Sequence, residues 1–463
     1  MLALLVAIPT ATAGGYYFSD SGIVATGRGG AWIAGANTQF AQHYNPAGLI
    51  RIEAPTVNIG LSGVTQNIGF ERACPSADRT SVAPCATPPT AAFYEEVKNG
   101  APPFIIPQIG FATPIGDRVG IAFGFYSPYA PDTSFPEEGP QRYTSKELTI
   151  YQFSVGPSVA VKLHDMITLG LGLQWQYFQL VNDLDITIGG QDNPGGDVAS
   201  HLRATDAFTP NVNGGLLFEP VDEVSVGISV QPPTQFDAHG PLTIDFAGST
   251  VAETDSLNET RYTDEEIALA IRLPWVLRAG VAVRPVENLE IEAAAVWQDW
   301  STMEDITITD LSIQLDKNPD SLLPLPDTID NDIVLPAGLQ DTISLRLGGE
   351  MRVIDELAVR AGGFWESSSL TPQEVSVQLY DTPKVQLGTG GSLFLADQQL
   401  RIDAAFAWLF LQGLAVTDST VVQVDSGEFD MAQGPLVVGN GNYTSSGWIV
   451  GLGASWMFKK RSE

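Results

Sequence analysis

Apolar and polar residues alternate over much of the chain. In 169–177, Leu and aromatic residues fill the odd positions, and Gly or Gln fill the even ones. The runs 119–126, 401–410 and 448–458 repeat this pattern. A period of two predicts strands with one apolar and one polar face, so the fold class is all-β.

The connections between the runs come in two lengths. Six are tight polar turns, at 115–118, 163–166, 220–223, 285–288, 353–356 and 395–398. Seven are long and rich in Asp, Pro and Gly, at about 65–103, 127–147, 180–208, 232–265, 300–341, 366–384 and 412–444. Six turns and seven loops join fourteen strands, with the short connections at one end and the long ones at the other.

The apolar face of such strands has two possible surroundings. In a soluble sandwich it lies in a core, whereas in a membrane barrel it faces lipid. The run length suits a tilted membrane-crossing strand, and aromatic residues cluster at the run ends as interface girdles: Trp175, Tyr177, Trp297, Trp300, Trp365, Trp408, Phe410, Trp456 and Phe458. We therefore predict a 14-stranded antiparallel β-barrel in the outer membrane of a Gram-negative bacterium.

The net charge and the distribution of acidic residues limit the possible partners of the protein. The 463 residues include 54 acidic and 23 basic side chains, a formal net charge of −31, which argues against nucleic acid as a partner. The acidic residues concentrate in the long loops: 299–341 has ten with one Lys, and 234–266 has eight with one Arg. We expect a solvated or divalent-bridged rim, with no dedicated metal site and no cofactor.

The first residues resemble an export signal. An apolar core at 2–8 precedes the small-x-small pattern at 11–13, so we expect 1–13 to be a signal peptide with a truncated basic n-region. Cys74 and Cys85 lie in a Pro/Ser/Ala-rich stretch. In an exported chain, this pair predicts a small disulfide-closed loop rather than a metal site.

Alternation also assigns charged residues to the lumen. In 267–277 every odd position is apolar, which predicts that these face lipid and that Arg272 and Arg278 face inward. A charge facing lipid would cost about 2–4 kcal/mol at the midplane. The same logic turns other charged residues inward: Glu290, Glu292, Arg346, Glu350, Arg352, Arg360, Arg401 and Asp403.

These lumen charges allow two interpretations. They pair with one another across neighbouring strands, or some of the arginines hold a substrate carboxylate. The candidate substrate-binding residues are Arg272, Arg346 and Arg360, with Phe364 and Tyr126 as apolar contacts. A barrel of this size would leak unless plugged, and the compact segment 14–54, which lacks the alternation, is the candidate plug.

Two motifs in this segment carry a family resemblance. The run TGRGGAW at 26–32 and the signature Asn45-Pro46-Ala47-Gly48 are similar to the N-terminal hatch of FadL-type outer-membrane transporters of long-chain fatty acids and other hydrocarbons. Later segments at 106–128, 273–281 and 297–301 agree. The resemblance implies a signal peptide at 1–13, a hatch at 14–54, a barrel at 55–458 and a basic tail at 459–463.

The resemblance further implies passive, ligand-gated uptake by a monomer. A hydrophobic small molecule would reach a gate at the hatch N-terminus, formed by Tyr16, Tyr17 and Phe18. Hatch movement would then open a lateral exit through the wall near Gly124, Pro128 and Pro107. The other expected partners are outer-membrane lipid, lipopolysaccharide and the barrel assembly machinery.

The sequence also departs from the family pattern. The acidic residues that often lie between the two hatch motifs are missing from 35–40. The acidic loops should repel fatty-acid anions, which favours neutral hydrocarbons. A general solute porin and a surface-binding barrel are the alternatives. An outer-membrane enzyme is disfavoured, because the four histidines form no recognisable catalytic motif.

Overall fold

The computed structural model describes residues 22–76, 79–80, 82–86, 90–129, 131–187, 191–249, 257–303, 305–319, 327–330, 333–336, 338–423 and 436–458. Fourteen strands form a wall: Thr56–Arg72, Phe104–Ile115, Val119–Tyr129, Glu147–His164, Ile167–Thr187, Asp197–Val221, Val224–Gln231, Val276–Val286, Leu289–Gln298, Thr342–Ile354, Leu357–Glu366, Lys384–Leu395, Leu400–Val416 and Gly441–Met457.

Each wall strand pairs antiparallel with the next, and the last pairs with the first. The closing ladder runs without a break from Thr56 opposite Met457 to Arg72 opposite Gly441. The sheet is therefore a closed barrel with no free edge. All six predicted turns connect neighbouring wall strands at one end, so the predicted strand number and hairpin order are confirmed.

The outer surface carries an apolar belt at the level of the short turns. Leu171, Leu347 and Leu452 are 57%, 60% and 62% exposed there. In water such a surface would be unstable, whereas lipid covers it without cost. None of the helices among the described residues is long and apolar enough to cross a bilayer.

Several strands continue beyond this belt on the side of the long loops, and we call this part the extension. Thr234–Asp245 follows the seventh wall strand, from which Pro232 and Pro233 separate it. Arg261–Leu273 precedes the eighth wall strand, and a break at Pro274 separates the two. These two strands pair with each other. Shorter strands complete the long-loop side: Val97–Lys98, Asp132–Ser134, Asp305–Thr309, Ile313–Gln314, Thr328–Ile329 and Ile333–Pro336.

The extension overturns two predictions. The loop predicted at 180–208 is wrong, because its flanking strands pair as far as Thr187 opposite Asp197, which leaves only a short connection. The predicted faces of 267–273 are also wrong: the odd positions are buried inside, whereas Arg272 is exposed. Above the bilayer the outer face meets water, so the apolar face turns inward.

One girdle residue is also misplaced by the sequence pattern. Trp300 is fully buried in the short 3-10 helix Trp300–Thr302, beneath the long loops. Trp175, Trp365, Trp408 and Trp456 are exposed on the outer surface as predicted. Two further 3-10 helices, Pro194–Gly196 and Pro372–Glu374, lie in the long loops.

Inside the lumen lies the described part of the hatch, 22–54. It contains the helical turns Ile23–Gly27 and Ala41–Tyr44 and the 3-10 helix Pro46–Arg51. Trp32 is fully buried and packs edge-on against Tyr44. The predicted signal peptide, the gate residues Tyr16, Tyr17 and Phe18, and the tail 459–463 lie outside the described residues.

Candidate ligand path and hatch

The lumen is layered from the extension to the short turns. A large apolar cluster fills the extension, and an amide-rich layer follows. The hatch lies below this layer, and an arginine-rich cavity opens at the short-turn end. A solute that enters from the loops meets these layers in this order.

The apolar layer, here called the cap cluster, is a continuous set of buried hydrophobic side chains. Phe178 stacks on Phe236 with ring centroids 4.8 Å apart. Leu180, Ile271 and Trp300 belong to the same cluster, and every member is at most 8% exposed. Its buried hydrophobic side chains give this part of the lumen an apolar interior.

The amide layer consists of five buried glutamines that point inward from the wall. Each is at most 2% exposed, and each has a side-chain oxygen without a hydrogen-bond partner among the described residues. Buried polar atoms of this kind require water or a ligand. The five residues are Gln108, Gln152, Gln174, Gln176 and Gln298.

Inward-facing glycines of the wall form the surface against which the hatch packs, here called the glycine seat. A β-carbon at Gly120 would collide with the Leu49 carbonyl, and one at Gly362 would collide with the Arg28 carbonyl. Only glycine allows the hatch backbone to approach the wall this closely. Hatch backbone also lies against Gly170, Gly227, Gly348 and Gly388, and hatch side chains lie against Gly110, Gly124, Gly215, Gly451 and Gly453.

Asn45 of the hatch signature joins three parts of the molecule. Its Oδ1 accepts a hydrogen bond from the Ala47 amide at 3.1 Å, which caps the 3-10 helix. Its Nδ2 donates to the carbonyls of Ile33 in the hatch and Leu216 in the wall, at 3.2 and 3.0 Å. Pro46 fits the first helical position, where no amide is needed.

Wall carboxylates provide the acidic groups that the hatch segment 35–40 lacks. The Glu292 carboxylate is fully buried and accepts hydrogen bonds from the amides of Ile33, Ala34 and Gly35, at 2.5, 2.9 and 2.8 Å. Arg28 pairs with Glu290 at 2.9 Å. These charge-assisted bonds fix the loop between the two hatch motifs to the ninth wall strand.

The five predicted substrate-binding residues do not form one site. Arg346 and Phe364 lie together between the hatch and the extension, with the guanidinium carbon 4.9 Å from the ring centroid. Arg360 lies toward the short-turn end. Tyr126 packs 5.0 Å from the His43 ring of the hatch, and Arg272 is on the outer surface.

Most of the lumen charges pair with one another. Arg360 bonds to Glu350 on the adjacent strand, and Arg401 bonds to Asp403 at 2.9 Å. Above them, Lys384 donates to Glu366 at 3.0 Å and also pairs with Asp381. Pairing across strands is thus the arrangement that the structure contains for these groups.

In the proposed exit region, the ladder between the second and third wall strands ends at Ile109 opposite Phe125. Gly124 lies in regular register between Gly110 and Gly156. The irregularity comes after it, as a register shift between Tyr126 and Tyr129 that brackets Pro128. Pro107 pairs in register with Leu61. The weakest point of this ladder is therefore at 127–128, rather than at Gly124.

A second buried charge network joins the start of the loop after the first wall strand, the loop before the fourth and the short connection before the sixth. Arg142 bonds to Asp192 at 2.7 Å and to Asp197 at 2.8 Å, and Arg72 bonds to Asp192 at 3.0 Å. Burial raises the pKa of Asp197 to about 7. The disulfide between Cys74 and Cys85 closes a turn in the first of these loops. The network and disulfide hold the loops over the cap cluster.

Sequence reasoning missed the glycine seat, the Glu292 contact and the loop network. The seat had a signal, because the inward positions of several runs are glycine. Glu292 had a weaker signal, because it is an inward-facing acid and the hatch segment 35–40 contains no acidic residue. The partners in the loop network are 50 to 120 positions apart, and nothing in their local sequence pairs them.

These features define a class: a plugged channel of the bacterial outer membrane, with an apolar vestibule above its hatch. The chain belongs to the outer membrane protein transport family (OMPP1/FadL/TodX), whose model matches residues 4–458. It is therefore an outer-membrane transporter for hydrophobic compounds in a Gram-negative bacterium, and not an enzyme.

Solved structures share the fold at low sequence identity. A Pseudomonas aeruginosa FadL homologue is 17% identical, with a TM-score of 0.74 over 96% of this chain and 100% of that one. The Pseudomonas putida toluene transporter TodX is 14% identical, with a TM-score of 0.66 over 94% and 98%. The Ralstonia pickettii toluene transporter TbuX is 15% identical, with a TM-score of 0.63 over 95% and 98%. A sequence search of curated proteins gave no match.

Proposed function

We propose that this protein, as a monomer, passively carries neutral hydrophobic compounds from the medium into the outer membrane. The cap cluster is the observation that carries the proposal. It places a large set of buried hydrophobic side chains between the loops and the hatch. Solved structures of similar fold are described as toluene transporters and a monoaromatic hydrocarbon channel, which supports this substrate class.

Charge favours neutral compounds over fatty acids. The acidic loops and the net charge of −31 repel anions at long range. The interior cation Lys384 is compensated by Glu366 and Asp381. Long-chain fatty acids are the second candidate, supported by Arg346. This guanidinium is 3.9 Å from Glu366 and lies over Phe364, a suitable pair for a carboxylate with an apolar tail.

In the proposed mechanism the hatch is the gate. Ligand in the amide layer would displace the hatch N-terminus, where Tyr16, Tyr17 and Phe18 would contact it. The Glu292 bonds to the hatch loop must loosen for the lumen to open. The ligand would then leave sideways through the wall at 127–128, because an apolar solute gains nothing by entering a water-filled pore.

Uptake into liposomes tests the substrate class. Vesicles carrying the full protein would receive labelled toluene or labelled oleate, and empty vesicles give the passive background. We expect toluene to enter faster than the background and oleate to show little acceleration. Oleate uptake equal to that of toluene would replace the neutral-compound proposal with a fatty-acid function. Binding to the loops without uptake of either would indicate a surface-binding barrel.

The hatch contact has its own test. Glu292→Gln removes the carboxylate charge but keeps the shape, so we expect ion conductance in planar bilayers to rise above the closed baseline. Glu356→Gln, in an exposed turn, is the matched control and should stay closed. Large conductance in the unaltered protein would identify a general porin instead.

The proposed exit is tested by a substitution intended to make the strand pairing regular at 127–128. Pro128→Val restores a ladder amide and should slow toluene uptake, while leaving heat-modifiable gel mobility, a measure of barrel folding, unchanged. Pro107→Val, at a position already in register, is the comparison. Equal uptake in both variants and the parent would eliminate 127–128 as the exit.

A further inference from the structure

A cavity of about 340 Å³ opens at the short-turn end of the lumen, between the hatch and the wall. We call it the mouth cavity. Its volume is in the range of small-molecule sites. It is lined by hatch residues, among them Asn37, Thr38 and Gln39, and by side chains from the first and the tenth to fourteenth wall strands. The mouth cavity lies on the opposite side of the hatch from the cap cluster and takes no part in the proposed uptake path.

The charged lining of this cavity is mainly basic. Four arginines line it, Arg51, Arg352, Arg360 and Arg401, against two acidic residues, Glu53 and Glu350. Glu350 is already bonded to Arg360. Arg352 has no carboxylate within 4.0 Å in the part of the chain that the structure describes; it donates to the Asp355 carbonyl. Arg51 and Arg401 pair with Glu219 and Asp403 outside the lining, so Arg352 is the arginine of this site that a carboxylate does not compensate among the described residues.

Two buried donors at this cavity lack acceptors. Arg360 is 4% exposed, and its Nη1 makes no hydrogen bond to any described residue, although Asp403 lies 3.5 Å away. Gln39 is 1% exposed, and its Nε2 also lacks a partner among those residues. One donor belongs to the wall and the other to the hatch. Buried donors in such a position require an acceptor from outside the chain.

The same cavity has an apolar side. Phe394 lines it, with the Arg352 guanidinium 3.7 Å from the ring centroid. Ile52 and Met457 add aliphatic surface. Inorganic anions need only donors, whereas a small organic anion also uses apolar contacts. The combination of unsatisfied donors, an arginine that no carboxylate compensates and a planar aromatic ring is suited to a carboxylate on a small apolar body.

We propose that the mouth cavity binds a small organic carboxylate from the side of the short turns. Its carboxylate accepts from Arg360 of the wall and from Gln39 of the hatch, and its apolar part contacts Phe394. Because the ligand bridges hatch and wall, its binding favours the seated hatch. The proposal does not depend on which compound the barrel transports.

Calorimetric titration of the purified full-length protein in detergent tests this site, with benzoate as the probe. We expect saturable binding at one site and at least tenfold weaker binding of benzamide, which lacks the charge. Arg360→Gln should weaken benzoate binding roughly tenfold to a hundredfold, the usual effect of losing a charge-assisted hydrogen bond. Arg118→Gln, at an exposed arginine outside the cavity, is the matched control and should bind like the parent.

Arg360→Gln leaves Glu350 and Asp403 less compensated, so a second variant guards against misfolding. Gln39→Leu removes the hatch donor without altering any charge and should weaken benzoate binding about three- to tenfold. Equal affinities for benzamide and benzoate would overturn the proposal. So would unchanged benzoate binding in both cavity variants, or binding of inorganic phosphate without binding of benzoate.

Discussion

The membrane-level wall and the extension are built from the same strands but have opposite polarity. In Ile167–Thr187, Leu169 and Leu171 face outward and Gln174 and Gln176 face inward near the short turn. Farther along, Phe178, Leu180 and Leu184 occupy the inward positions. The direction of each side chain follows the same alternation throughout. Only the surroundings of the two faces change, from lipid outside and polar groups inside to water outside and an apolar interior.

This contrast separates two tasks of the barrel. The lower part meets lipid on its outer face and holds the hatch through glycines, amides and ion pairs. The upper part stands in water and keeps an apolar interior under loops held by the Arg142 network. In the function that we propose, a hydrophobic solute would concentrate in the upper part and meet the hatch at the lower part. The polarity change would then mark the level at which the hatch acts.

Truncation inside the cap cluster should have the largest effect. Phe178→Ala removes a buried ring that stacks on Phe236, so we expect the extension to lose about 3–5 kcal/mol of stability. Val181→Ala, on the outer face of the same strand, should cost under about 1 kcal/mol. Hydrogen exchange of amides in 178–187 measures both. Equal costs would contradict the apolar interior of the extension.

A charge introduced on the outer face should have the next largest effect on stability, and this effect should differ between the membrane-level wall and the extension. Leu171→Arg places the charge in the lipid belt and should destabilise the barrel by about 2–4 kcal/mol. Val181→Arg places the same charge in water and should change stability by less than about 0.5 kcal/mol. Denaturant titration in lipid vesicles compares the two variants. A large penalty at 181 would move the membrane boundary upward.

Mild acid should protect the extension by a smaller amount. Burial raises the pKa of Asp197 from 3.8 to about 7, so the folded chain binds more protons than the unfolded chain between about pH 4 and 7. The hydrogen bond between His201 and Asp183 raises the pKa of His201 above 6.5. The stability that this bond contributes is lost as the pH rises through the folded-state pKa of His201. Both groups predict that stability falls as the pH rises through these windows.

Exchange protection of 191–205, corrected for intrinsic rates, should therefore be higher at pH 5.5 than at pH 8, with no such change in 167–173. Asp197→Asn should flatten most of this pH dependence, and His201→Gln should remove the remainder above pH 6. Protection that rises with pH in the parent protein would show that another group dominates the network.

Much of the fold and part of the candidate site follow from sequence. The period-two runs and six polar turns determine strand number and pairing order, since each hairpin is local. The Asn-Pro-Ala signature identified the hatch, because its side-chain cap and proline act within a few residues. Arg346, Arg360 and Glu292 were placed inward correctly, because a charge at the lipid face is costly.

The tertiary structure decided what local pattern cannot encode. Alternation fixes which residues share a face but not what that face meets, so Arg272 and the odd positions of 267–273 were reversed where the strands leave the bilayer. The glycine seat acquires meaning only when the hatch backbone lies against it. Likewise, Arg360 and Gln39 become one candidate site only because barrel closure brings hatch and wall together around the mouth cavity.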